Sequence, residues 1–218
     1  MNASAPGVVP PWTSAFRGYA ERDFRVELRT PIHFPGGRVI QDVAGVFLRL
    51  PMWRGEPFRD DFGKKSAAMI ELAGEHLFAE LAVLRLMQAD GWEGRWVNTY
   101  SGGGEVWKYL TEWQDAPRAE QRTRPIHDSE ARQLLARIAA FNKPRRYKGC
   151  WDTYCWRSGE VAFLERKRTA PTYADVVSKE QEEWLRSALF IGDPRVSLDS
   201  FCFVQWDYQS SQGHTRAV

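Results

Sequence analysis

The chain has 218 residues, of which 43% are hydrophobic and 27% are charged, and its formal net charge at pH 7 is +2. These values are typical of a globular protein with a full core, and they exclude a polycation or a disordered chain. No apolar run approaches the ~20 residues of a membrane-spanning helix. The N-terminus has no positive segment followed by a continuous apolar one, so we predict neither a signal peptide nor a membrane partner.

The first half of the chain is predicted to contain an arm, short strands and one helix. We predict an N-terminal arm with short strands over residues 1–65, because residues 24–50 alternate in polarity around Pro35-Gly36-Gly37. From Ser66 to Asp90 apolar residues recur at three- and four-residue steps, which predicts a helix ended by Gly91. These apolar residues are Ile70, Ala73, Leu77, Leu81, Leu84 and Met87.

The second half alternates between strands and helices, which predicts a mixed α/β core over residues 66–208 and a flexible tail over 209–218. The predicted elements are strands at 95–100 and 105–113, a helix over 127–141 capped by Asp128 or Ser129, a hairpin over 149–168, a helix from Ser178 that ends before Gly192, and a strand at 201–208. Cys150, Cys155 and Cys202 lie outside any Cys-x-x-Cys motif. We interpret them as core residues of a protein in a reducing, cytoplasmic compartment, without structural zinc.

The hairpin at residues 149–168 brings charged side chains to one point. A two-residue turn centred on Ser158-Gly159 sets Asp152 directly opposite Glu165. Lys167 lies two residues beyond Glu165 and therefore shares its face. Opposed carboxylates repel each other, so the pattern indicates a cation between them, and oxygen ligands at this spacing suit Mg²⁺ or Mn²⁺. The alternative is a surface salt-bridge cluster at a strand end, and a one-residue slip in register would remove the site.

A basic segment surrounds this hairpin. Between Lys143 and Arg168 the chain carries eight basic and three acidic residues, a local net charge of +5. Such a segment beside apolar strands fits the footprint of an anionic partner such as nucleic acid, and a solvated basic face is an equally weighted alternative. The candidate contacts are Lys143, Arg145, Arg146, Lys148, Arg166 and Arg168.

The spacing of Asp152, twelve further residues and then Glu165-x-Lys167 resembles the core of the PD-(D/E)XK nuclease superfamily. The helix that carries Gln181 and Trp184, and the earlier segment that ends in Gly-Trp, are similar to the VRR-NUC branch. The resemblance covers roughly residues 70 to 208. It implies a restriction-endonuclease-like mixed sheet flanked by helices, here with an N-terminal β-rich extension. One departure is Trp151, since the family usually has proline at that position.

The resemblance also implies roles for single residues. Asp152, Glu165 and the backbone carbonyl of Arg166 would bind the metal, and Lys167 would be the catalytic lysine. Glu80 would bind or orient the metal through water, although the rim of an apolar helix face is an alternative position for it. Gln181 would line the site, although it lies at the capping-box spacing from Ser178.

The resemblance therefore implies a metal-dependent nuclease acting on phosphodiester bonds, with DNA as the expected substrate and RNA left open. An inactive nuclease-fold protein that binds nucleic acid or a protein partner is the main alternative, and an unrelated α/β binding module is the third. Endonuclease or exonuclease action, and a homodimer, stay open.

Overall fold

The computed structural model describes residues 9–59, 69–99, 104–168 and 177–209. Within these ranges the helices are α1 (Ala79–Ala89), α2 (Ser129–Phe141) and α3 (Lys179–Phe190). The strands are β1 (Ala20–His33), β2 (Val39–Leu50), β3 (Ile70–Leu72), β4 (Glu75–Leu77), β5 (Glu93–Asn98), β6 (Lys108–Leu110), β7 (Thr153–Arg157), β8 (Glu160–Arg168) and β9 (Phe201–Tyr208).

Seven strands form one mixed sheet in the order β1-β2-β9-β8-β7-β5-β6. Neighbouring strands run antiparallel, except that β9 is parallel to both β2 and β8. Side chains of β8 alternate between two cores: Leu164 packs with residues of α1, whereas Phe163 packs with residues of α2 and α3. The predicted mixed α/β fold, with a central sheet flanked by helices, is confirmed.

The N-terminal strands belong to this sheet. β1 and β2 have 14 and 12 residues, so the prediction of short strands was wrong in length. They pair through a turn where Gly36 and Gly37 have positive φ, and β2 then pairs with β9. This second pairing joins residues far apart in sequence, which a local pattern does not reveal. Strands from both sides of the predicted boundary at residue 65 thus share one sheet.

The single helix predicted from Ser66 to Asp90 is wrong in its first half. β3 and β4 form a hairpin whose turn residues, Ala73 and Gly74, both have positive φ, as type I′ turns require. In β3 the partly exposed Glu71 lies between the buried Ile70 and Leu72, and this period of two, together with the turn, prevails over the helical spacing. The helix begins only at Ala79, and the predicted start at Ser66 lies outside the described residues.

The remaining helices follow the predicted signals. The backbone N–H of Ala131 donates to the side chain of Asp128 at 2.8 Å, so Asp128 rather than Ser129 caps α2. α3 starts after Ser178 and stops before Gly192, which has a φ of 67°.

The three cysteines are buried and unpaired, as predicted. The strand predicted at 105–113 is shorter than expected, since β6 has three residues. Within the described ranges, no helix is long and apolar enough to cross a membrane. Of the predicted tail, residues 210–218 lie outside those ranges.

Candidate active site

The hairpin of β7 and β8 has the register that the sequence predicts. Arg157 pairs with Glu160 across a turn in which Ser158 and Gly159 have φ values of 43° and 82°. A turn with two positive φ values matches the twist of the strands and fixes their register. Asp152 immediately precedes β7, one residue beyond the last pair of this ladder, which joins Thr153 to Leu164.

Asp152, Glu165 and Lys167 meet at this end of the hairpin. The backbone N–H of Asp152 donates to Oε2 of Glu165 at 3.4 Å, and Nζ of Lys167 lies 3.1 Å from Oε1 of Glu165. Glu165 is buried, with 3% of its surface exposed, while the Lys167 side chain is 31% exposed. Lys167 thus lies beside Glu165, as the hairpin geometry predicts, and the structure adds that the carboxylate is buried whereas the lysine reaches solvent.

Both carboxyl groups resist ionisation. Burial raises the pKa of Glu165 to about 8, the charge of Asp152 adds to this shift, and Lys167 opposes it. Burial also raises the pKa of Asp152, with the Arg166 guanidinium opposing and Glu80 adding to the shift. Buried carboxylates ionise readily only when a cation compensates them. Positive charge beside these two carboxyl groups therefore favours their ionised forms, and Lys167 and Arg166 supply part of that charge.

Glu80 reaches the same region from the first turn of α1. It is buried, and its carboxylate forms an ion pair with the guanidinium of Arg166. Arg166 lies between Glu165 and Lys167 in β8, so its side chain projects to the α1 face of the sheet. From the sequence, Glu80 was predicted to bind the metal, and Arg166 was predicted to contact nucleic acid with its side chain and the metal with its carbonyl. The pairing of these two side chains was not predicted. The alternation along β8 indicates only that Arg166 faces away from Glu165.

Gln181 holds the start of α3. Its side-chain oxygen accepts from the Ser178 N–H at 2.9 Å, and its own N–H donates to Oγ of Ser178 at 3.2 Å. The capping-box alternative is thus confirmed. The backbone carbonyl of Gln181 also accepts from Nε1 of Trp151 at 3.4 Å. Trp151, the residue before Asp152, thereby ties the entry of β7 to the first turn of α3.

Gly149 permits this close approach. Its φ is +86°, and a Cβ built there would lie 2.0 Å from the carbonyl oxygen of Glu180. We expect Gly149→Ala to push α3 away from the segment that leads to Asp152, and to lower the free energy of unfolding by about 3 kcal/mol or more. Gly37→Ala is the matched control, because Gly37 has a similar φ of +84° with no atom near its Cβ position.

Urea unfolding of both variants measures this difference. The control isolates the cost of a left-handed backbone, about 1–2 kcal/mol, whereas Gly149→Ala adds the clash with Glu180. Equal losses of stability in the two variants would show that the contact between Gly149 and α3 is unimportant. The role of Gly149 is not visible in the sequence, since the clash depends on a helix about thirty residues further along the chain.

Most of the predicted nucleic-acid contacts have partners within the protein. Arg145 forms ion pairs with Glu180 and Glu183 of α3 at 3.1 and 2.8 Å. The other contacts are Lys148 with Glu180, Arg146 with Glu105, Arg166 with Glu80, and Arg168 over the rings of Trp206 and Tyr208. Lys143 is exposed. The local charge of +5 is thus partly neutralised by acids elsewhere in the chain, and the nucleic-acid role stays a prediction.

Two carboxylates are compatible with one weakly bound divalent ion. Within the described ranges, no three His, Cys, Asp or Glu side chains are grouped to hold a metal. Mg²⁺ needs only one or two protein carboxylates, because water and substrate phosphate complete its coordination. Asp152 and Glu165, which are joined by the hydrogen bond from the Asp152 N–H to Oε2 of Glu165, supply that number of carboxylates.

Comparison with known proteins adds no relative. The chain matches no protein-family model, no curated protein and no solved structure. The fold and the site define the class of protein as a mixed α/β protein with a carboxylate and lysine cluster at the end of a central hairpin.

Proposed function

We propose that the protein is a metal-dependent nuclease that hydrolyses phosphodiester bonds in DNA. The meeting of Asp152, Glu165 and Lys167 at one strand end, around a buried carboxylate, is the observation that carries this proposal. The restriction-endonuclease-like assignment is part of the proposal. It is supported by the order of α1, the antiparallel β5, β7 and β8, and then α3 and the parallel β9.

Each residue of the site would have a distinct task. Asp152 and Glu165 would hold Mg²⁺ or Mn²⁺, which supplies an activated water and neutralises charge on the phosphate. Lys167 is partly exposed beside Glu165, so its ammonium would orient the attacking water and stabilise negative charge on the phosphate. Gln181 and Trp151 would act indirectly, because they fix α3 against the entry of β7.

The basic residues around the hairpin would bind the DNA backbone. Lys143 is exposed, and Arg145, Arg146, Lys148 and Arg168 lie near the surface. The ion pairs of Arg145 and Lys148 with Glu180 would have to be exchanged for phosphate contacts. Binding of this kind is indifferent to sequence and weakens as salt rises.

A cleavage assay on closed circles tests the proposal. Supercoiled double-stranded and circular single-stranded DNA are incubated with wild type or Asp152→Asn, in Mg²⁺, Mn²⁺ or EDTA. Asparagine keeps the size of the side chain but removes its charge, so we expect cleavage by wild type with metal only, and none by the variant. Cleavage restricted to linear or branched DNA would point to an exonuclease or a structure-specific enzyme.

The same assay distinguishes an active nuclease from the alternative, an inactive protein with a nuclease fold. This alternative is favoured by the ion pair that already neutralises Glu80. In that case no DNA is cut on circular, linear or branched substrates, while the protein still binds DNA with or without metal. Metal-dependent cleavage that survives equally in Asp152→Asn would contradict the proposed site.

A further inference from the structure

Arg166 is the central cation of the carboxylate cluster. Its guanidinium pairs with Glu80. Burial lowers the pKa of Arg166, but the charges of Glu80, Asp152 and Glu165 together outweigh burial and raise it above the ordinary value. Its side chain is 20% exposed and that of Glu80 is 5% exposed. The guanidinium therefore lies where α1 meets the end of the hairpin, within electrostatic reach of every carboxylate in the site.

A role restricted to packing explains this pair poorly. A buried ion pair loses the hydration of both charges, and apolar residues of similar size often stabilise a protein equally well. α1 already packs against the sheet through a broad apolar face. In addition, Nε of Arg166 is buried and has no hydrogen-bond partner among the described residues. An unsatisfied buried donor costs about 1–3 kcal/mol, so the arginine is poorly suited to packing alone.

The charges of the cluster are balanced for a single divalent cation. Glu80, Asp152 and Glu165 bring three negative charges when ionised, and Arg166 and Lys167 bring two positive ones. One divalent cation and one phosphodiester then make the site neutral, whereas a second divalent cation would leave an excess of two positive charges. Uncompensated charge in a buried site is costly.

We propose that Arg166 takes the place of a second metal ion: it keeps Glu80 from binding metal, so that the site takes one divalent cation. This inference rests on the proposed nuclease function. Arg166 is thus a fixed cation that sets the metal stoichiometry of the site through its ion pair with Glu80.

Counting bound Mn²⁺ tests the inference without DNA or activity. Electron paramagnetic resonance measures free Mn²⁺ during a titration at a fixed alkaline pH. We expect one Mn²⁺ per chain in wild type, in Arg166→Lys and in Glu80→Gln. Arg166→Gln releases Glu80 as a ligand, so we expect a second Mn²⁺, and the double variant Arg166→Gln with Glu80→Gln returns to one. Arg157→Gln is the matched control, since Arg157 pairs with Asp90 beyond the other end of α1.

The outcomes separate this inference from the function on which it rests. Two Mn²⁺ in wild type, with one lost in Glu80→Gln, would make Glu80 a ligand and overturn the role of Arg166. A single Mn²⁺ in folded Arg166→Gln would overturn it as well, and circular dichroism verifies that the variants fold. Wild type and all variants without bound Mn²⁺ would contradict the proposed function itself.

Discussion

Replacing Lys167 by alanine is expected to lower the rate of DNA cleavage by about 10²–10⁴-fold, the range of a positioned acid, base or water-orienting group. Lys167 is the charged side chain that contacts Glu165 and also reaches solvent, where a substrate would approach. The loss should fall on the maximal rate at saturating metal, because Asp152 and Glu165 remain to hold the ion. Single-turnover cleavage at saturating DNA measures this rate directly.

Two further variants show whether the effect of Lys167→Ala depends on the charge and on the position of this lysine. Lys167→Arg retains the positive charge with a different shape, so a partial loss would show that position matters as well as charge. Lys179→Ala removes an exposed lysine at the first residue of α3 and should leave the rate unchanged. Cleavage by Lys167→Ala at the wild-type rate would exclude the lysine from the reaction.

The geometry of the hairpin could be predicted because it depends on local chemistry. The Ser158-Gly159 turn sets the register, the register sets Asp152 near Glu165, and the period of two sets Lys167 beside Glu165. None of these steps needs information from distant parts of the chain. The cap of α2 and the capping box of α3 were predictable for the same reason.

Other features depend on contacts between distant segments. The spacing of Ile70 and Leu77 fits a helix and a hairpin alike, and the turn at Ala73-Gly74 decides between them. By composition, the basic segment at residues 143–168 has an excess of positive charge. In the structure, however, Arg145 is paired with Glu180 of α3, some 35 residues further along the chain. Sequence composition counts charges and does not show which of them are already compensated.

The Arg166–Glu80 pair depends both on a local pattern and on a contact between distant segments. Alternation along β8 was enough to place Arg166 on the face opposite Glu165, toward one of the two helical layers. Which helix lies on that face depends on tertiary structure, so the carboxylate that meets the arginine could not be read from the sequence. The pair then changes the expected chemistry, because Glu80 is already compensated by a cation from the chain itself.

Replacing Glu165 by glutamine is expected to make the metal-free protein more stable at alkaline pH. The pKa of Glu165 in the folded state is about 8, above the ordinary value near 4.3. A group with a raised pKa contributes stability that is fully present below its ordinary pKa and is lost as pH rises through the folded-state value. Wild type should therefore lose on the order of 3 kcal/mol from this group between roughly pH 5 and pH 8.

Glutamine is neutral at every pH, so Glu165→Gln should lack this loss, and its advantage over wild type should grow as pH rises. Urea unfolding at a series of pH values, in EDTA, measures the difference. Glu160→Gln is the control, because Glu160 is an exposed carboxylate on the same strand and its replacement should change stability by less than about 0.5 kcal/mol.

Metal should reverse the order of stability. Mg²⁺ or Mn²⁺ binds the ionised carboxylate, so it should stabilise wild type increasingly as pH rises and have little effect on Glu165→Gln. A side chain that destabilises the metal-free protein, but through which a bound metal stabilises the protein, serves binding rather than folding. A Glu165→Gln variant that is less stable than wild type at alkaline pH in EDTA would instead assign Glu165 to a structural ion pair with Lys167.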